Sequence, residues 1–277
     1  MAKGIGLIGN FKGKVGNMVG YHLKDSNNKQ TQGVRVYQPI VKNPKTSAQA
    51  EQRAKLAPIN ATYRALKMVI DRGNEGLPYG NKSRLAWLKQ AFKAQNMPWI
   101  VKGQQVAFPV GCQLTKGSLA NVSYDILEDA IQLSAPTVPT GAAVATIGGL
   151  STILLASYPT LKEGDQITLV AVGNAQGAIE STVFSFEINH TDAKAVSGFI
   201  LREGYITWEH GGKSFAGAVI VSREGANGEH LRSTASLKIV ATYTEEAPYD
   251  ATSKAAAIES YMNSASVNAD WAEESIQ

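Results

Sequence analysis

The stretch from Gly33 to Ile70 constrains the fold most, because it joins a short strand, a turn and a long amphipathic segment. Valines alternate with polar residues at its start, which is typical of a half-buried strand. The dipeptide Asn43-Pro44 then predicts a turn. We expect Thr46 or Ser47 to cap the helix that follows, since a side-chain hydroxyl can accept a hydrogen bond from an otherwise unpaired backbone N–H.

Beyond the turn, apolar residues recur every three or four positions, which is the spacing of one face of a helix. They are Leu56, Ile59, Tyr63, Leu66 and Ile70. Pro58 interrupts this pattern, because proline removes one backbone hydrogen bond and clashes with the preceding turn. We therefore expect a kink, or a division into two helices, near Pro58. The apolar face packs either in the core of its own chain or on another copy.

Three motifs in the same region resemble a known family. A glycine-rich segment comes first, with the sequence Gly13-Lys14-Val15-Gly16-Asn17-Met18-Val19-Gly20-Tyr21. The strand VRVYQP, an NPKT turn and a QxxQRAK helix follow it. Together they resemble the opening of an uncharacterised family found in Bacteroidetes genomes and their phages, over about the first 70 residues. That family has no established activity, so the resemblance implies no catalytic residue; its association with phages implies a structural role in a virion or on a surface.

Bulk composition is that of a soluble globular protein with one large or two modest domains. The chain has 277 residues, of which 44% are hydrophobic and 18% are charged. The single cysteine, Cys112, excludes an internal disulfide and a zinc site made of cysteines. No apolar run reaches the length of a signal peptide or a membrane span, so we expect synthesis in the host cytoplasm without a signal peptide and no membrane span.

Charge is divided unevenly along the sequence. Residues 1–116 hold 19 lysines and arginines against 4 acids, a net charge of +15, whereas residues 117–277 hold 8 against 19, a net charge of −11. A basic half attracts phosphate backbones through counterion release. It equally attracts the acidic half of a neighbouring copy. The remaining alternative is that the charges are scattered and solvated.

The first 45 residues predict a glycine-rich arm that contains a β-ribbon. Met18–Leu23 and Val34–Tyr37 should pair as a hairpin across a polar turn at 25–29. Gly4–Gly9 has the spacing of a dinucleotide-binding fingerprint, but the sequence indicates neither the buried strand before it nor the helix after it that such a site needs. An arm of this kind buries little by itself, so it should be ordered by contacts with other parts of the chain or with other chains.

A second helix is expected after the glycine-rich loop at 71–80, beginning at Asn81 or Ser83. Its apolar face should consist of Leu85, Trp87, Leu88, Ala91 and Phe92, and its basic face of Lys82, Arg84, Lys89 and Lys93. Together with Arg53 and Arg64 of the first helix, these four basic residues are the candidates for contact with nucleic acid or with another subunit. The alternative is an ordinary solvated face.

Residues 99–247 carry short apolar runs separated by turn signals, which predict a mainly antiparallel β-sandwich or small barrel, with immunoglobulin-like topology as the leading hypothesis. The expected strands are Gln104–Val110, Leu127–Leu133, Thr152–Ala156, Gln166–Val172, Thr182–Ile188, Tyr205–Glu209, Ala216–Ser222 and Ser236–Tyr243.

The overall class is α+β: an arm and β-ribbon over 1–45, a helical region over 46–98, the β-sandwich domain over 99–247 and an acidic helical tail over 248–277. The tail, with Ser253 as the expected helix cap, is either a frayed terminus or an acidic latch that docks on a basic surface.

No catalytic or metal-binding pattern is evident. His190 and Asp192 supply at most two ligands, and His210 and His230 flank turns without further ligands nearby in sequence. Cys112 is interpreted as a small buried hydrophobe. We therefore predict that the protein is not an enzyme and has no cofactor or metal site.

The expected function is that of a non-enzymatic structural protein of a bacteriophage particle, a capsid or capsid-associated subunit located in the virion. Its partners would be other copies or other virion proteins, with the basic half facing either packaged nucleic acid or a neighbouring subunit. The alternative is a carbohydrate- or cell-surface-binding adhesive module of a Bacteroidetes bacterium. A hydrolase would require a cleft lined with carboxylates, which sequence cannot identify.

Overall fold

The computed structural model describes residues 12–24, 30–37, 46–106, 108–141, 143–175, 177–212, 214–225, 228–246 and 248–263. The chain divides into two compact units, Met1–Lys45 and Thr46–Gln277. The described residues form six helices and mostly antiparallel strands, and none of the sheets they build is closed. No helix within these ranges is long and apolar enough to cross a membrane.

The first unit contains a three-stranded antiparallel ribbon. Strand β1 (Gly13–Val15) pairs with β2 (Met18–Lys24), which pairs with β3 (Gln30–Val36). The predicted hairpin is therefore confirmed, although its second strand begins earlier in the chain than expected. The glycines at positions 4–9 and the turn at 25–29 lie outside the described residues.

The second unit begins with three helices, α1 (Ser47–Ala65), α2 (Lys67–Ile70) and α3 (Asn81–Ala91). Thr46 caps α1 as predicted, since its Oγ1 accepts the Gln49 N–H at 3.3 Å. Of the two alternatives expected at Pro58, the division into two helices was wrong: α1 continues through this buried proline and ends before Leu66, where the backbone turns to φ −109°, ψ 19°. The kink stays a prediction. Packing of Pro58 into the core outweighs the single backbone hydrogen bond that proline removes.

The buried face of α1 is also rotated from the predicted one. Ile59, Leu66 and Ile70 are buried as expected, but Leu56 is exposed. Ala50 and Ala54, which carry no strong hydrophobic signal, lie in the core instead. Small side chains allow a helix to approach its neighbours closely, and this favours the alanine side of α1 as the packed face.

Eleven strands follow in the β-rich part. They are β4 (Gln113–Thr115), β5 (Tyr124–Ile126), β6 (Ala130–Ser134), β7 (Gln166–Ala175), β8 (Ala178–Glu187), β9 (Phe199–Arg202), β10 (Tyr205–Glu209), β11 (Ser214–Glu224), β12 (His230–Arg232), β13 (Ala235–Ser236) and β14 (Lys238–Ile239). One sheet has the order β5-β6-β10-β9, and a second has the order β12-β11-β7-β8 with β14 also paired to β11. Strand β13 pairs with β4.

Strands β7 and β11 are buried on both faces and hold the second unit together. One face contributes Ile167, Leu169, Val219 and Val221 to a core shared with the four-stranded sheet and with α4 (Ile147–Ser157). The other face contributes Val170, Val172, Ala216, Ala218 and Ile220 to a core shared with the helices α1 to α3. Helices α1 to α3 are therefore packed on one face of a central sheet, and the four-stranded sheet with α4 is packed on its other face.

Four expected strands in this part are confirmed in position, namely those that became β7, β8, β10 and β11. Thr152–Ala156 was wrong, because it forms the middle of helix α4, which Thr146 caps by accepting the Gly149 N–H at 3.2 Å. The described residues of Gln104–Val110 form no strand, and Leu127–Leu133 is a strand only from Ala130. Ser236–Tyr243 divides among β13, β14 and helix α5 (Ala241–Glu246).

The described part of the tail contains helix α6 (Ala251–Met262). Its cap is Asp250 and not the expected Ser253, because the Asp250 carboxylate accepts the backbone N–H groups of Thr252 and Ser253. Its buried residue Ala257 belongs to the same core as Ala54 of α1. The tail helix is therefore packed on the helical layer.

Candidate interaction surfaces

Three of the six predicted contact residues form one solvent-facing row along α3 and the turn after it. Lys82 and Lys89 are exposed on α3, and Lys93 is exposed two residues after its end; their spacing of seven and four residues places them on the same side. Leu85 lies in the same row and is 49% exposed. At 1.5 Å per residue the row is roughly 16 Å long. We call Lys82, Lys89 and Lys93 the lysine row.

Arg84 does not belong to the lysine row. Its guanidinium lies over the Tyr63 ring, 4.6 Å from the centroid, and the Tyr63 hydroxyl donates to Asp71 Oδ1 at 2.9 Å. The prediction that all four basic residues of α3 share a face was therefore wrong. Arg84 is two residues from Lys82, so it points towards α1 and stabilises packing between the two helices.

The two predicted arginines of α1 are separate from the lysine row. Arg53 is half-buried, whereas Arg64 is exposed. Arg64 lines a groove of about 450 Å³ between α1 and the start of β8, together with Asn60 and Gln105. The structure therefore brings together three of the six candidates and leaves Arg53, Arg64 and Arg84 in different surroundings.

Carboxylates of the helical layer are already engaged with other groups. Residues 46–102 contain ten lysines and arginines but only three acids, Glu51, Asp71 and Glu75. Glu51 bridges Lys55 at 3.0 Å and Lys254 at 3.1 Å, and these hydrogen bonds hold its pKa below the ordinary value. No described residue forms an ion pair with the lysine row. Its positive charge is therefore left uncompensated by the described side chains.

Glu75 joins the loop between α2 and α3 to the segment that follows β4 and to strand β12. Its carboxylate accepts the Ser118 backbone N–H at 2.9 Å, the Ser118 hydroxyl at 2.9 Å and the Arg232 backbone N–H at 3.0 Å. Burial raises the pKa of Glu75, but these hydrogen bonds outweigh burial and leave the pKa below its ordinary value. Gly117 is required beside it, since a Cβ there would lie 2.6 Å from Glu75 Oε2.

Replacement of Glu75 by glutamine is expected to lower the free energy of unfolding by about 1–2 kcal/mol at pH 7, because a charged acceptor is lost from three donors. A lowered folded-state pKa gives stability that is present above the unfolded value and is lost as the pH falls through the folded value. The difference between the parent and Glu75→Gln should therefore shrink below about pH 4. Urea unfolding between neutral and acid pH measures it, with the exposed Glu187→Gln as the control. A difference that stays constant into acid would show that the charge of Glu75 is not the cause.

The ribbon of the first unit has two chemically different faces. The register places Val15, Met18, Val34 and Val36 on one face, because Val15 lies opposite Met18 and Met18 lies opposite Val36. The three valines are 51%, 50% and 68% exposed, respectively. We call these four residues the valine face. On the opposite face, Lys14 and Arg35 lie on either side of Val19, and the Lys14 ammonium is 3.7 Å from the centroid of the Tyr37 ring.

One cleft of about 570 Å³ lies between the loop 74–79 and the segment 228–232, which form its two walls. Tyr79 is 46% exposed there, and its ring centroid is 5.3 Å from that of His230. Arg72 covers the same tyrosine ring at 5.5 Å. An exposed aromatic ring beside polar side chains can hold a small polar ligand.

A second cleft, of about 590 Å³, contains Cys112 in its wall with Lys93 and Lys238 at its edge. Burial raises the pKa of the Cys112 thiol to about 12, so it is not a thiolate at neutral pH. The interpretation of Cys112 as a buried hydrophobe is confirmed by its place in the core.

A third cleft, of about 540 Å³, lies at the start of α4 beside His190. The first N–H groups of this helix already have protein acceptors: Ile147 donates to Lys194 O, Gly148 to Asp192 O, Gly149 to Thr146 Oγ1 and Leu150 to Thr146 O. The helix end therefore has no N–H free to hold an anion. His190 Nδ1 lies 2.5 Å from an exposed Glu163 carboxylate and not beside the Asp192 that we paired with it. Among the described residues, no group of three or more His, Cys, Asp or Glu side chains could hold a metal.

One arrangement that the sequence did not reveal anchors the tail helix. Trp99 is largely buried beneath two ammonium groups, Lys254 at 5.1 Å and Lys55 at 5.7 Å from its ring centroid. Both lysines also bond Glu51, so α6 is attached to α1 by its lysine and not by its acids. No local pattern connects residues so distant in sequence. The predicted acidic latch extends to residue 277, and its part at 264–277 lies outside the described residues.

Comparisons with known proteins add no relative. No family model, no curated protein and no solved structure matches the chain. The resemblance in its first part therefore stays a prediction, and function is argued from the surfaces described above.

Proposed function

We propose that the chain is a non-enzymatic structural protein of a bacteriophage particle, a capsid or capsid-associated subunit. The valine face is the observation that carries this proposal. Three valines on one side of a small sheet are at least half exposed and form an apolar surface. The apolar face of a sheet is normally buried against another layer, so this face is suited to packing on a partner.

Assembly with other subunits is the simplest explanation for an exposed apolar face of this kind. Exposed apolar patches on soluble proteins are typical of interaction sites. The partners would be copies of the same chain or other virion proteins, packed on the valine face. Because the charges of Lys14 and Arg35 lie on the opposite face, the apolar contact does not require them to be buried.

The β-rich part would supply the rigid body of this subunit, and we propose that it is an immunoglobulin-like sandwich. Support comes from the core to which both sheets contribute, with Ile131 and Ile206 on one side and Leu169 and Val219 on the other. Two sheets that share one core are the basic arrangement of such sandwiches. The net charge of −11 in residues 117–277 would face outward or meet the basic half of a neighbour.

The proposal is tested by replacing Val15, Val34 and Val36 with threonine. Threonine keeps the branched shape and the strand preference of valine but removes the apolar surface. Loss of the contact should raise the concentration needed for assembly by about 100-fold or more, since three buried valines contribute at least 3 kcal/mol to association. Sedimentation velocity and negative-stain microscopy measure this. The control is Val183→Thr, an exposed valine of β8.

Two outcomes would contradict the proposal. One is a parent protein that stays monomeric at every concentration and salt level, with no particle in the micrographs. The other is a triple variant that assembles like the parent, because the valine face would then contribute nothing to assembly.

A second candidate function is the binding of carbohydrate at a cell surface, and the cleft beside Tyr79 favours it. Its exposed ring and the neighbouring His230 could stack on and bond to a sugar. The described tryptophans are less suited, since Trp87, Trp99 and Trp208 are only 1%, 9% and 5% exposed. An adhesive module would bind glycans as a monomer or small oligomer and would lose this binding on Tyr79→Ala.

A further inference from the structure

We infer that the lysine row of α3 binds the phosphate backbone of nucleic acid without reading its sequence. The inference rests on the proposed function only in naming the packaged nucleic acid of the particle as the ligand. Lys82 and Lys89 of α3 and Lys93 of the turn after it are exposed on one side. Three ammonium groups spread over roughly 16 Å can reach successive phosphates of one backbone.

The charge around the row supports a polyanion as the ligand. Residues 46–102 carry a net charge of +7, from ten basic residues and three acids. All three acids have partners. Glu51 pairs with Lys55 and Lys254, and Asp71 accepts a hydrogen bond from Tyr63. Glu75 accepts hydrogen bonds from Ser118 and from the Arg232 backbone. The segment that carries the lysines is therefore net positive, and the release of counterions from the nucleic acid supplies the driving force for binding.

The residue type favours phosphate over an acidic protein surface. Lysine is depleted in protein–protein interfaces, where arginine is enriched. The arginines of this layer that lie closest in sequence are engaged elsewhere, with Arg84 over Tyr63 and Arg72 over Tyr79. The side chains left in the row are flexible point charges, which suit phosphates whose positions vary.

The row has the groups for backbone contact, and its exposed uncharged residue adds none for base recognition. Leu85 is the exposed residue between Lys82 and Lys89, and it offers no ring for stacking on a base and no polar group for a base edge. Binding should therefore be independent of sequence and strongly dependent on salt. For duplex DNA, each phosphate contact contributes about −0.9 to the slope of log K against log salt concentration.

The experiment compares the full chain with the variant Lys82→Gln/Lys89→Gln/Lys93→Gln. Glutamine removes the charges while keeping a good helix former, so the fold should be retained, as circular dichroism will check. Fluorescence anisotropy with a labelled DNA duplex of arbitrary sequence is measured over a salt series. We expect the magnitude of the slope to fall by about 2.7, which is three contacts at about 0.9 each, with weaker binding at low salt.

The matched control is Lys162→Gln/Lys194→Gln/Arg202→Gln, which removes three exposed cations from the acidic half. It makes the same change in net charge at a different place. The control should keep the slope of the parent. If it weakens binding as much as the row variant does, net charge alone attracts the DNA and the inference fails.

Other outcomes separate this inference from the proposed function. If particles form in the parent but the row variant binds DNA with an unchanged slope, the inference fails and the structural role stands. If the parent binds no DNA, and the row variant fails to assemble even after nuclease treatment, the row contacts an acidic surface of a neighbour and the inference is wrong. If the row binds DNA but no condition yields particles, the inference stands and the structural role fails.

Discussion

Replacement of Asp165 by alanine is expected to lower the free energy of unfolding by about 3 kcal/mol, at the lower end of the range for breaking a buried ion pair. The Asp165 side chain is 1% exposed. It accepts hydrogen bonds from Arg223 Nε at 2.5 Å, Arg223 Nη2 at 2.7 Å and the Lys162 backbone N–H at 2.8 Å. Its loss leaves the Arg223 guanidinium without its carboxylate, while the partial exposure of Arg223 limits the penalty.

The Asp165–Arg223 pair should be replaceable as a unit. Replacing both residues separates the net contribution of the pair from the penalty of leaving one charge without its partner. The double variant Asp165→Leu/Arg223→Met removes both charges and fills similar volume, so it should recover most of the stability lost in Asp165→Ala. Chemical denaturation of the parent, both single variants and the double variant gives the coupling energy. A loss below about 1 kcal/mol for Asp165→Ala would show that the pair is solvated in the native protein and contributes little.

Sequence patterns predict the turn that contains Asp165 but not the burial of its side chain. The turn Glu163-Gly164-Asp165 is identifiable from its residues, and it joins α4 to β7 as a turn should. Its burial is not identifiable, because the partner Arg223 comes from β11, which is far along the chain. Long-range pairing decides whether a turn aspartate is a surface acid or a buried ion-pair partner, and no local pattern reports such pairing.

The same distinction separates the confirmed strands from the wrong ones. The segments that became β7, β8 and β10 are rich in β-branched and aromatic residues and are bounded by turn residues. Thr152–Ala156 is a short apolar run without a clear period, and such runs do not distinguish strand from helix. Here Thr146, six residues before the run, caps a helix that sequence analysis did not consider.

The lysine row was predictable in part for a related reason. Helical spacing alone places Lys82, Lys89 and Lys93 together, and the structure keeps them so. Which side of α3 faces the core depends on the packing against α1 and β4, and this rotated the helix from the expected orientation. Arg84 moved to the Tyr63 side as a result, and Leu85 moved to the surface.

A matched pair of substitutions on α3, at Trp87 and Leu85, tests this orientation of the helix. Trp87 is 1% exposed, whereas Leu85 is 49% exposed. Trp87→Ala should lower the free energy of unfolding by about 3–5 kcal/mol, because it leaves a cavity in a packed core. Leu85→Ala should change it by less than about 0.5 kcal/mol, because the substitution lies on the surface and alanine favours helix.

Cys112 provides an independent measure of the same cavity. It shares a core with Trp87, and burial raises the pKa of its thiol to about 12, so a thiol reagent at mildly alkaline pH should react slowly with the native parent. The reaction should be faster in Trp87→Ala and unchanged in Leu85→Ala, since only the former opens the core beside the thiol. Denaturant unfolding and the labelling rate together test the orientation of α3. Equal stability losses in the two variants would mean that Leu85 and Trp87 are both part of the buried face, as the sequence analysis expected, and the lysine row would then not face solvent as a single surface.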